Sequence, residues 1–285
     1  PAGGARVSAR LVRARTGEGA GGLVLECAGA GAGAPDGELV AGPVPFENAL
    51  ACPLATCPTG EALPCGTDSV RLTVAVALQD AEGHTLLTRR AAHLRSFPGA
   101  WVCPGGAVDV GEAPADAAAR ELLEEVGLAL EPARLRPLCM WESVFPTTRE
   151  LCLAAGGVRR HDLVLFFSAQ APSLGSRLAL RLQAGEADAA VWVPRERLRA
   201  FALPGAARGW AHGAGAGAGQ RGGGALLEVV RDAEQRARDE DAGEAQVALA
   251  DVAQLYPSAD GRLGGCGEAH MFALRELAAR TSAAL

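Results

Sequence analysis

Apolar runs separated by polar turns fill the middle of the chain, and their periods predict strands. Residues 72–78 (LTVAVAL) are almost continuously apolar, which is typical of a buried strand. A turn at 81–84 and the run HTLLTRR around it predict that this strand forms a hairpin with the next one. Residues 135–146 predict a strand followed by a turn, and residues 159–170 (RRHDLVLFFSAQ) predict a central strand.

The two ends of the chain carry weaker patterns. Two apolar runs within residues 6–27 flank a glycine-rich turn and predict a small strand pair. The runs ALLEVV and VALADVAQLY flank a mixed-charge stretch at 231–246 and are expected to pair or pack together. In residues 267–285, apolar positions recur at helical spacing (Met271, Leu274 and Leu277), so an amphipathic helix is expected to close the core.

One segment combines a marked helix with an unusual set of charges. Pro114 suits a first helical turn and Gly127 suits a left-handed stop, so the sequence predicts a helix from about 114 to 126. At 100° per residue this helix has an acidic face with Glu121, Glu124 and Glu125. The opposite face, which is expected to be core, holds Ala119, Leu122, Leu123 and Val126.

Three carboxylates on one helix face repel one another, and Arg120 is the nearby base. A hard divalent cation such as Mg²⁺ would relieve this repulsion, because it prefers oxygen ligands and commonly bridges protein carboxylates to substrate phosphates. The three glutamates alone would favour a solvated acidic helix face. The glycines and glutamates before and after them favour the metal site, because the spacing is specified over the whole segment 105–128.

That segment reads Gly106, five residues, Glu112, seven residues, Arg-Glu-Leu from Arg120, one residue, a glutamate pair, one residue, and Gly127 followed by leucine. It matches the Nudix box at every defined position, so the chain resembles the Nudix hydrolases. The resemblance implies an α/β (α+β) fold, a Nudix-type α/β/α sandwich with a mixed sheet and a catalytic loop-helix-loop. It also implies that water attacks a diphosphate bridge with the help of Mg²⁺, for which Mn²⁺ can substitute.

The resemblance also implies roles for individual residues. The expected metal ligands are carboxylates of the box, namely Glu112, Glu121, Glu124 and Glu125; Glu112 alternatively stabilises the loop. The expected catalytic residues are Arg120, which orients the glutamates, Glu121, Glu124 and a loop carboxylate, Glu186. Glu186 precedes the run WVP by six residues, where many members place an extra ligand or base, and a helix or strand cap is its equally weighted alternative.

Substrate contacts are expected from the segment that enters the box: Arg89, Arg90, Trp101, Gly105 and Gly106. The two arginines are equally well explained as solvated residues of a strand edge. Around this site the sequence predicts three parts: an extension at 1–69 with short strands and a Pro/Gly-rich loop, a Nudix domain at 70–204, and a tail at 205–285. The tail comprises a Gly-rich linker, a charged stretch and a helix that packs on the domain.

Composition restricts partners and location. The 27 basic residues include no lysine and the net charge is −6, which argues against a broad basic surface for nucleic acid. Eight cysteines without a compact framework and no signal-like apolar run favour an intracellular, cytoplasmic protein that does not enter membranes, with Cys52, Cys57 and Cys65 as reduced thiols. The early arginines are also typical of an organellar transit peptide, although a strand is preferred there. Oligomeric state is left open.

Two substrate classes fit the segments around the box, and both imply a nucleotide-type diphosphate. The runs WESVFP, HDLVLFF and FALREL resemble family members that cleave the 7-methylguanosine cap at the 5′ end of mRNA. Residues 86–106 instead resemble coenzyme A and acyl-coenzyme A diphosphatases, although Ala91, Trp101 and Cys103 depart from that pattern. A third alternative is a Nudix-fold binding module without hydrolysis. The intact glutamates and Arg120 argue against this third alternative.

Overall fold

The computed structural model describes residues 8–14, 22–28, 46–48, 70–146, 149–175, 178–201, 226–230, 246–253 and 265–282. Its strands are β1 Ser8–Ala14, β2 Gly22–Ala28, β3 Phe46–Asn48, β4 Arg71–Gln79, β5 Thr85–Arg90, β6 Trp101–Val102, β7 Arg136–Phe145, β8 Arg160–Gln170, β9 Ala187–Val193, β10 Leu226–Val230 and β11 Gln246–Ala248. Its α-helices are α1 Pro114–Val126, α2 Arg149–Ala154, α3 Leu249–Ala253 and α4 Glu268–Ser282, and two 3-10 helices span Pro132–Arg134 and Arg195–Phe201.

A mixed sheet organises the molecule. Its strands follow the order β11-β10-β9-β5-β4-β8-β7-β3, and β6 pairs with β5 outside this path. The strand β4 runs parallel to β8, whereas β4 with β5, β7 with β8, and β5 with β9 are antiparallel. A separate two-stranded sheet joins β1 to β2. The mixed sheet expected from the resemblance is therefore confirmed.

Each face of the sheet is covered by one long helix. Along β4, side chains alternate between the faces: Val74 and Val76 join the core under α1, and Ala75 and Ala77 join the core under α4. Both cores are apolar, because a central strand with helices on both sides has no solvated face. The result is the expected α/β/α sandwich.

Several local predictions are confirmed. The hairpin of β4 and β5, the pair β1 with β2, and the pairing of β10 with β11 all match expectation, and β8 lies in the middle of the sheet. The sequence did not predict β3 or α2. Cys52, Cys57 and Cys65 lie outside the described residues, as does the predicted glycine-rich linker. No helix in the described part of the chain has the length and apolarity to cross a membrane.

One predicted core position is wrong. Leu123 of α1 is 47% exposed, whereas Glu125 is buried among the core residues of the helix. The reason is the helical period, because residues 118, 122 and 125 share one sector while position 123 turns about 140° away from position 118. The acidic face and the core face of the helix therefore overlap at Glu125.

The turn between β4 and β5 depends on one buried carboxylate, Asp80. One oxygen accepts hydrogen bonds from the backbone N–H groups of Glu82 and His84, and the other accepts one from the N–H of Gly175 at 2.8 Å. The His84 ring nitrogen Nδ1 lies 3.0 Å from the second oxygen. Burial alone would raise the pKa of Asp80, but these hydrogen bonds outweigh it and lower the pKa below its usual value.

We expect Asp80→Ala to lower the free energy of unfolding by about 2–4 kcal/mol, because it leaves three backbone N–H groups without their acceptor. Asp80→Asn should cost less at neutral pH, because one acceptor oxygen remains. Because the pKa of Asp80 is lower in the folded state than its unfolded value of 3.8, the ionised carboxylate contributes its full stability above pH 3.8. This contribution is lost as the pH falls through the folded pKa. Denaturant unfolding from pH 7 to pH 3 should show the wild-type advantage over Asp80→Asn shrinking. Glu82→Ala, an exposed change in the same turn, is the control.

Candidate active site

The segment that leads into helix α1 lies along strand β4. The N–H of Val76 donates to the carbonyl of Pro104, and the N–H of Val74 donates to the carbonyl of Gly106, both at 2.8 Å. A Cβ on Gly105, whose φ is +157°, would lie 2.1 Å from the Val74 carbonyl oxygen. Only glycine permits this close approach of two backbones. The segment is thereby fixed against the centre of the sheet.

Helix α1 is limited by the two residues that the sequence singled out. Pro114 occupies the first turn, and Gly127 ends the helix in the left-handed conformation with φ +73°. The last carbonyls are not left to solvent, because the N–H of Arg181 bonds to Val126 and the N–H of Gln183 bonds to Glu125. These bonds attach the loop before β9, which carries Glu186, to the end of the helix.

Glu125 is the buried carboxylate of the site, with 6% of the residue exposed. Its Oε2 accepts a hydrogen bond of 3.0 Å from the N–H of Gly105. Burial raises the pKa of Glu125 to about 8, and the nearby charges of Glu121 and Glu186 raise it as well. The Gly105 hydrogen bond and the charge of Arg90 act in the opposite direction but do not outweigh burial.

Glu121 precedes Glu125 by one turn on the same helix, and the charge of Glu186, on the loop before β9, acts on both. Burial raises the pKa of Glu121, and the charges of Glu124 and Glu186 contribute to the rise, whereas Arg120 lowers it. A Cβ on Gly106 would lie 2.4 Å from the Glu121 carboxylate, so the absent side chain leaves room for this group. Glu121, Glu125 and Glu186 thus form one electrostatically coupled set.

Arg120 holds a second set of carboxylates. Its guanidinium donates to both oxygens of Glu112 at 2.9 and 3.0 Å, to Glu121 at 2.9 Å and to Glu124 at 3.1 Å. A further bond of 3.0 Å reaches the carbonyl of Ala107. These bonds raise the pKa of Arg120 and hold the pKa of Glu112 below its usual value. Glu112 and Glu124, both expected as metal ligands, are therefore placed in ion pairs with Arg120.

The coupled set Glu121, Glu125 and Glu186 fits a hard divalent cation. Its donors are carboxylate oxygens, which Mg²⁺ and Mn²⁺ prefer, and like charges within the set add to the burial that raises the pKa of Glu121 and of Glu125. Within the described ranges, no three His, Cys, Asp or Glu side chains already stand in metal-binding geometry. The fit rests on donor chemistry and charge.

Three of the residues expected to contact substrate lie on two paired strands, Arg89 and Arg90 on β5 and Trp101 on β6. A β-bulge in the pairing of β5 with β9 separates Arg89 from Arg90. Arg89 pairs with Asp188 at 2.6 Å and its guanidinium lies 5.7 Å from the centre of the Trp101 ring. Arg90 donates to the carbonyl of Ser96 at 3.0 Å, and its charge acts on Glu125. Trp101 is 3% exposed and belongs to the core.

Other polar residues near the sheet are engaged with one another. Nε2 of His161 on β8 lies 2.7 Å from Oε1 of Glu142, its diagonal neighbour on β7. Sequence reasoning missed His270, on helix α4, whose Nδ1 accepts a hydrogen bond of 3.1 Å from the N–H of Cys103. The sequence contains no signal for this contact, because the two residues are 167 positions apart.

Comparison with known proteins decides the family. The NUDIX domain model matches residues 70–212, which is half of the chain. The chain belongs to the Nudix family. Nudix hydrolases generally need a divalent metal such as Mg²⁺. The matched range includes the loop, helix α1 and the Glu186 loop, whereas helix α4 lies beyond it.

Among curated Nudix relatives, the m7GpppN-mRNA hydrolase NUDT17 of Danio rerio is 42% identical over 56% of this chain and 54% of its own length. The human protein of the same name is 35% identical over 53% of this chain and 47% of its own length. The chain thus spans about half the length of the curated relatives it matches. Among crystal structures, a MutT NUDIX hydrolase from Burkholderia pseudomallei is 27% identical over 45% of this chain and 86% of that chain, with a TM-score of 0.35.

The two box glycines should respond differently to alanine. We expect Gly105→Ala to destabilise the fold by about 2 kcal/mol or more, because its Cβ would collide with backbone atoms of β4. Gly106→Ala should cost less than Gly105→Ala, because its Cβ meets the end of the Glu121 side chain rather than backbone, and a side-chain end can turn aside. Thermal and urea unfolding of the two variants test this order. Equal losses would contradict the assigned contacts.

The raised pKa of Glu125 predicts a pH effect in metal-free protein. Because the folded pKa of about 8 exceeds the unfolded value of 4.5, stability is fully present below pH 4.5 and falls as pH rises toward 8. Glu125→Gln has no carboxyl to ionise at this position and so does not show this loss. The free energy of unfolding of the variant minus that of the wild type should therefore increase from pH 5 to pH 9, by a few kcal/mol at most. Urea unfolding with EDTA measures the difference. Parallel pH curves would contradict the buried carboxylate.

Proposed function

We propose that this chain is a Mg²⁺-dependent hydrolase, with Mn²⁺ as a possible substitute, that cleaves a diphosphate linkage in a nucleoside diphosphate derivative. The observation that carries the proposal is Glu125, a buried carboxylate fixed by the N–H of Gly105 and coupled to Glu121 and Glu186. Burying a carboxylate costs stability, so the retention of Glu125 in the core beside two further carboxylates favours a bound cation.

Each residue of the site has a separate task in this proposal. Glu121 and Glu125 hold the metal, which when bound stabilises charge on the bridging phosphates and acidifies water. A water oxygen attacks phosphorus, the bridging P–O bond breaks, and the proton of the water passes to a carboxylate. Glu186, on a loop with an exposed side chain, is suited to accept this proton, and Glu121 is the alternative. Arg120 keeps Glu121 and Glu124 in position.

The substrate proposed first is the 7-methylguanosine cap of mRNA, which would be cleaved to 7-methylguanosine diphosphate. Its support is the identity of 35–42% to relatives named m7GpppN-mRNA hydrolase over about half of the chain. A long basic surface is unnecessary, because cap cleavage needs only a local groove beside the metal. The arginines of β5 are suited to bind the substrate phosphates. Arg90 is the better placed of the two, because its charge acts on Glu125.

A substrate panel tests the proposal directly. Wild-type protein with Mg²⁺ is incubated with capped RNA, coenzyme A, ADP-ribose, dinucleoside polyphosphates and nucleoside triphosphates, and products are identified by mass spectrometry. We expect release of 7-methylguanosine diphosphate from capped RNA and loss of turnover when EDTA removes the metal. Glu125→Gln should lower kcat by about 100-fold or more while the protein stays folded, because the neutral amide no longer binds the cation.

Glu131→Gln is the matched control, because this glutamate is exposed and makes no side-chain cap at its 3-10 helix. Its kcat should stay within about twofold of wild type. If coenzyme A released phosphopantetheine while capped RNA stayed intact, coenzyme A and not the mRNA cap would be the substrate. Binding without turnover of any member of the panel would contradict hydrolysis and favour a binding module. Wild-type rates in Glu125→Gln would refute the metal assignment.

A further inference from the structure

The backbone between β6 and helix α1 is held from both sides. Its carbonyls at Pro104 and Gly106 accept hydrogen bonds from β4. Two N–H groups of the same segment are bound by side chains instead: Gly105 donates to Glu125 of helix α1, and Cys103 donates to His270 of helix α4. The short segment that presents Gly105 to the buried carboxylate is therefore fixed by two helices from opposite faces of the sheet.

His270 is itself held firmly. Its ring meets the ring of the fully buried Phe166 edge-on, with centroids 5.3 Å apart and an interplanar angle of 87°. The start of its helix is attached to β6, because the N–H of Trp101 donates to the carbonyl of Gly265 at 2.8 Å and Trp101 forms a bridge with Cys266. Met271, Phe272 and Leu274 anchor the helix in the core.

The chemistry of His270 suits a permanent acceptor. Burial lowers the pKa of His270 to about 3, and the charge of Arg90 lowers it further. The imidazole is therefore neutral at physiological pH. A neutral ring with its proton on Nε2 offers Nδ1 as an acceptor, whereas a protonated ring offers none. The bond from Cys103 thus persists across the pH range in which the protein would work.

We propose that His270 is a positioning residue of the candidate active site, which acts through the N–H of Cys103 to hold Gly105 in place beside Glu125. The inference rests on the proposed hydrolase function. It extends that function beyond residues 70–212, because His270 belongs to a helix outside the matched domain. Helix α4 is then part of the catalytic unit, and its contribution is the geometry of the box loop.

The test compares three variants of the full chain. His270→Leu removes the acceptor, and His270→Asn restores an acceptor oxygen near the place of Nδ1. Leu277→Ala weakens the packing of the same helix about two turns further along and leaves His270 unchanged. We expect His270→Leu to lower kcat about 10- to 100-fold with KM changed less than about threefold. His270→Asn should recover most of the rate. Leu277→Ala should lower the Tm, but its kcat, measured well below that Tm, should equal that of the wild type.

Amide hydrogen exchange gives a readout that does not need activity. In metal-free protein, His270→Leu should speed exchange at Cys103 and Gly105 by about tenfold or more, and His270→Asn should restore protection. Unchanged kcat in His270→Leu, or equal losses in all three variants, would overturn the proposal. If the wild type hydrolyses no substrate, the proposed function fails, and the exchange data alone decide whether His270 holds the loop: unchanged protection at Gly105 in His270→Leu would overturn it.

Discussion

A carboxylate inside an apolar core is the constraint on which the site depends. Glu125 occupies the sector of helix α1 that packs on the sheet, where an ionised group loses hydration that apolar neighbours cannot replace. One backbone N–H, that of Gly105, compensates part of this loss. The box loop must therefore run within hydrogen-bonding distance of the helix and against β4 at once, and no side chain fits between them at Gly105.

The same constraint divides the carboxylates of the helix into two sets. Glu121 and Glu125 turn toward the sheet and the Glu186 loop, whereas Glu124 turns outward to Arg120. Arg120 neutralises Glu112 and Glu124 and shares Glu121, so it separates the loop-stabilising charges from those available to a cation. The repulsion among Glu112, Glu121, Glu124 and Glu125 is reduced because Arg120 forms ion pairs with the first three of them.

Strands β10 and β11 and helix α4, which lie outside the matched domain, belong to the same sheet and core as the domain. Helix α4 covers the face of the sheet opposite to helix α1, and Arg280 near its end donates to the carbonyl of Pro137 at 3.0 Å, where the pairing of β7 with β8 is irregular. The sheet continues through β10 and β11 on the edge beyond β9. Because both faces of the sheet must be buried, the Nudix domain and the C-terminal helix form one core.

Local rules in the sequence determined the ends of helix α1, the strand hairpin of β4 and β5, and the central position of β8, because proline, left-handed glycine and apolar period act over short distances. They also placed Glu121, Glu124, Glu125 and Arg120 on one helix. Periodicity alone assigned Leu123 to the core and Glu125 to the acidic face. Only the contact with β4 decided which sector was buried, and it exposed Leu123 and buried Glu125.

Tertiary structure alone decided the partners that are far apart in the sequence. It brought His270 to Cys103, Asp188 to Arg89 and the Glu186 loop to the end of helix α1. None of these contacts leaves a pattern in the residues between them, because strand order and the packing of the second helix set the distances. The sequence by itself therefore determined the family, the box and its carboxylate chemistry. The fold decided which carboxylate is buried and which residues hold the loop beside it, because burial and hydrogen bonding depend on neighbours from the whole sheet.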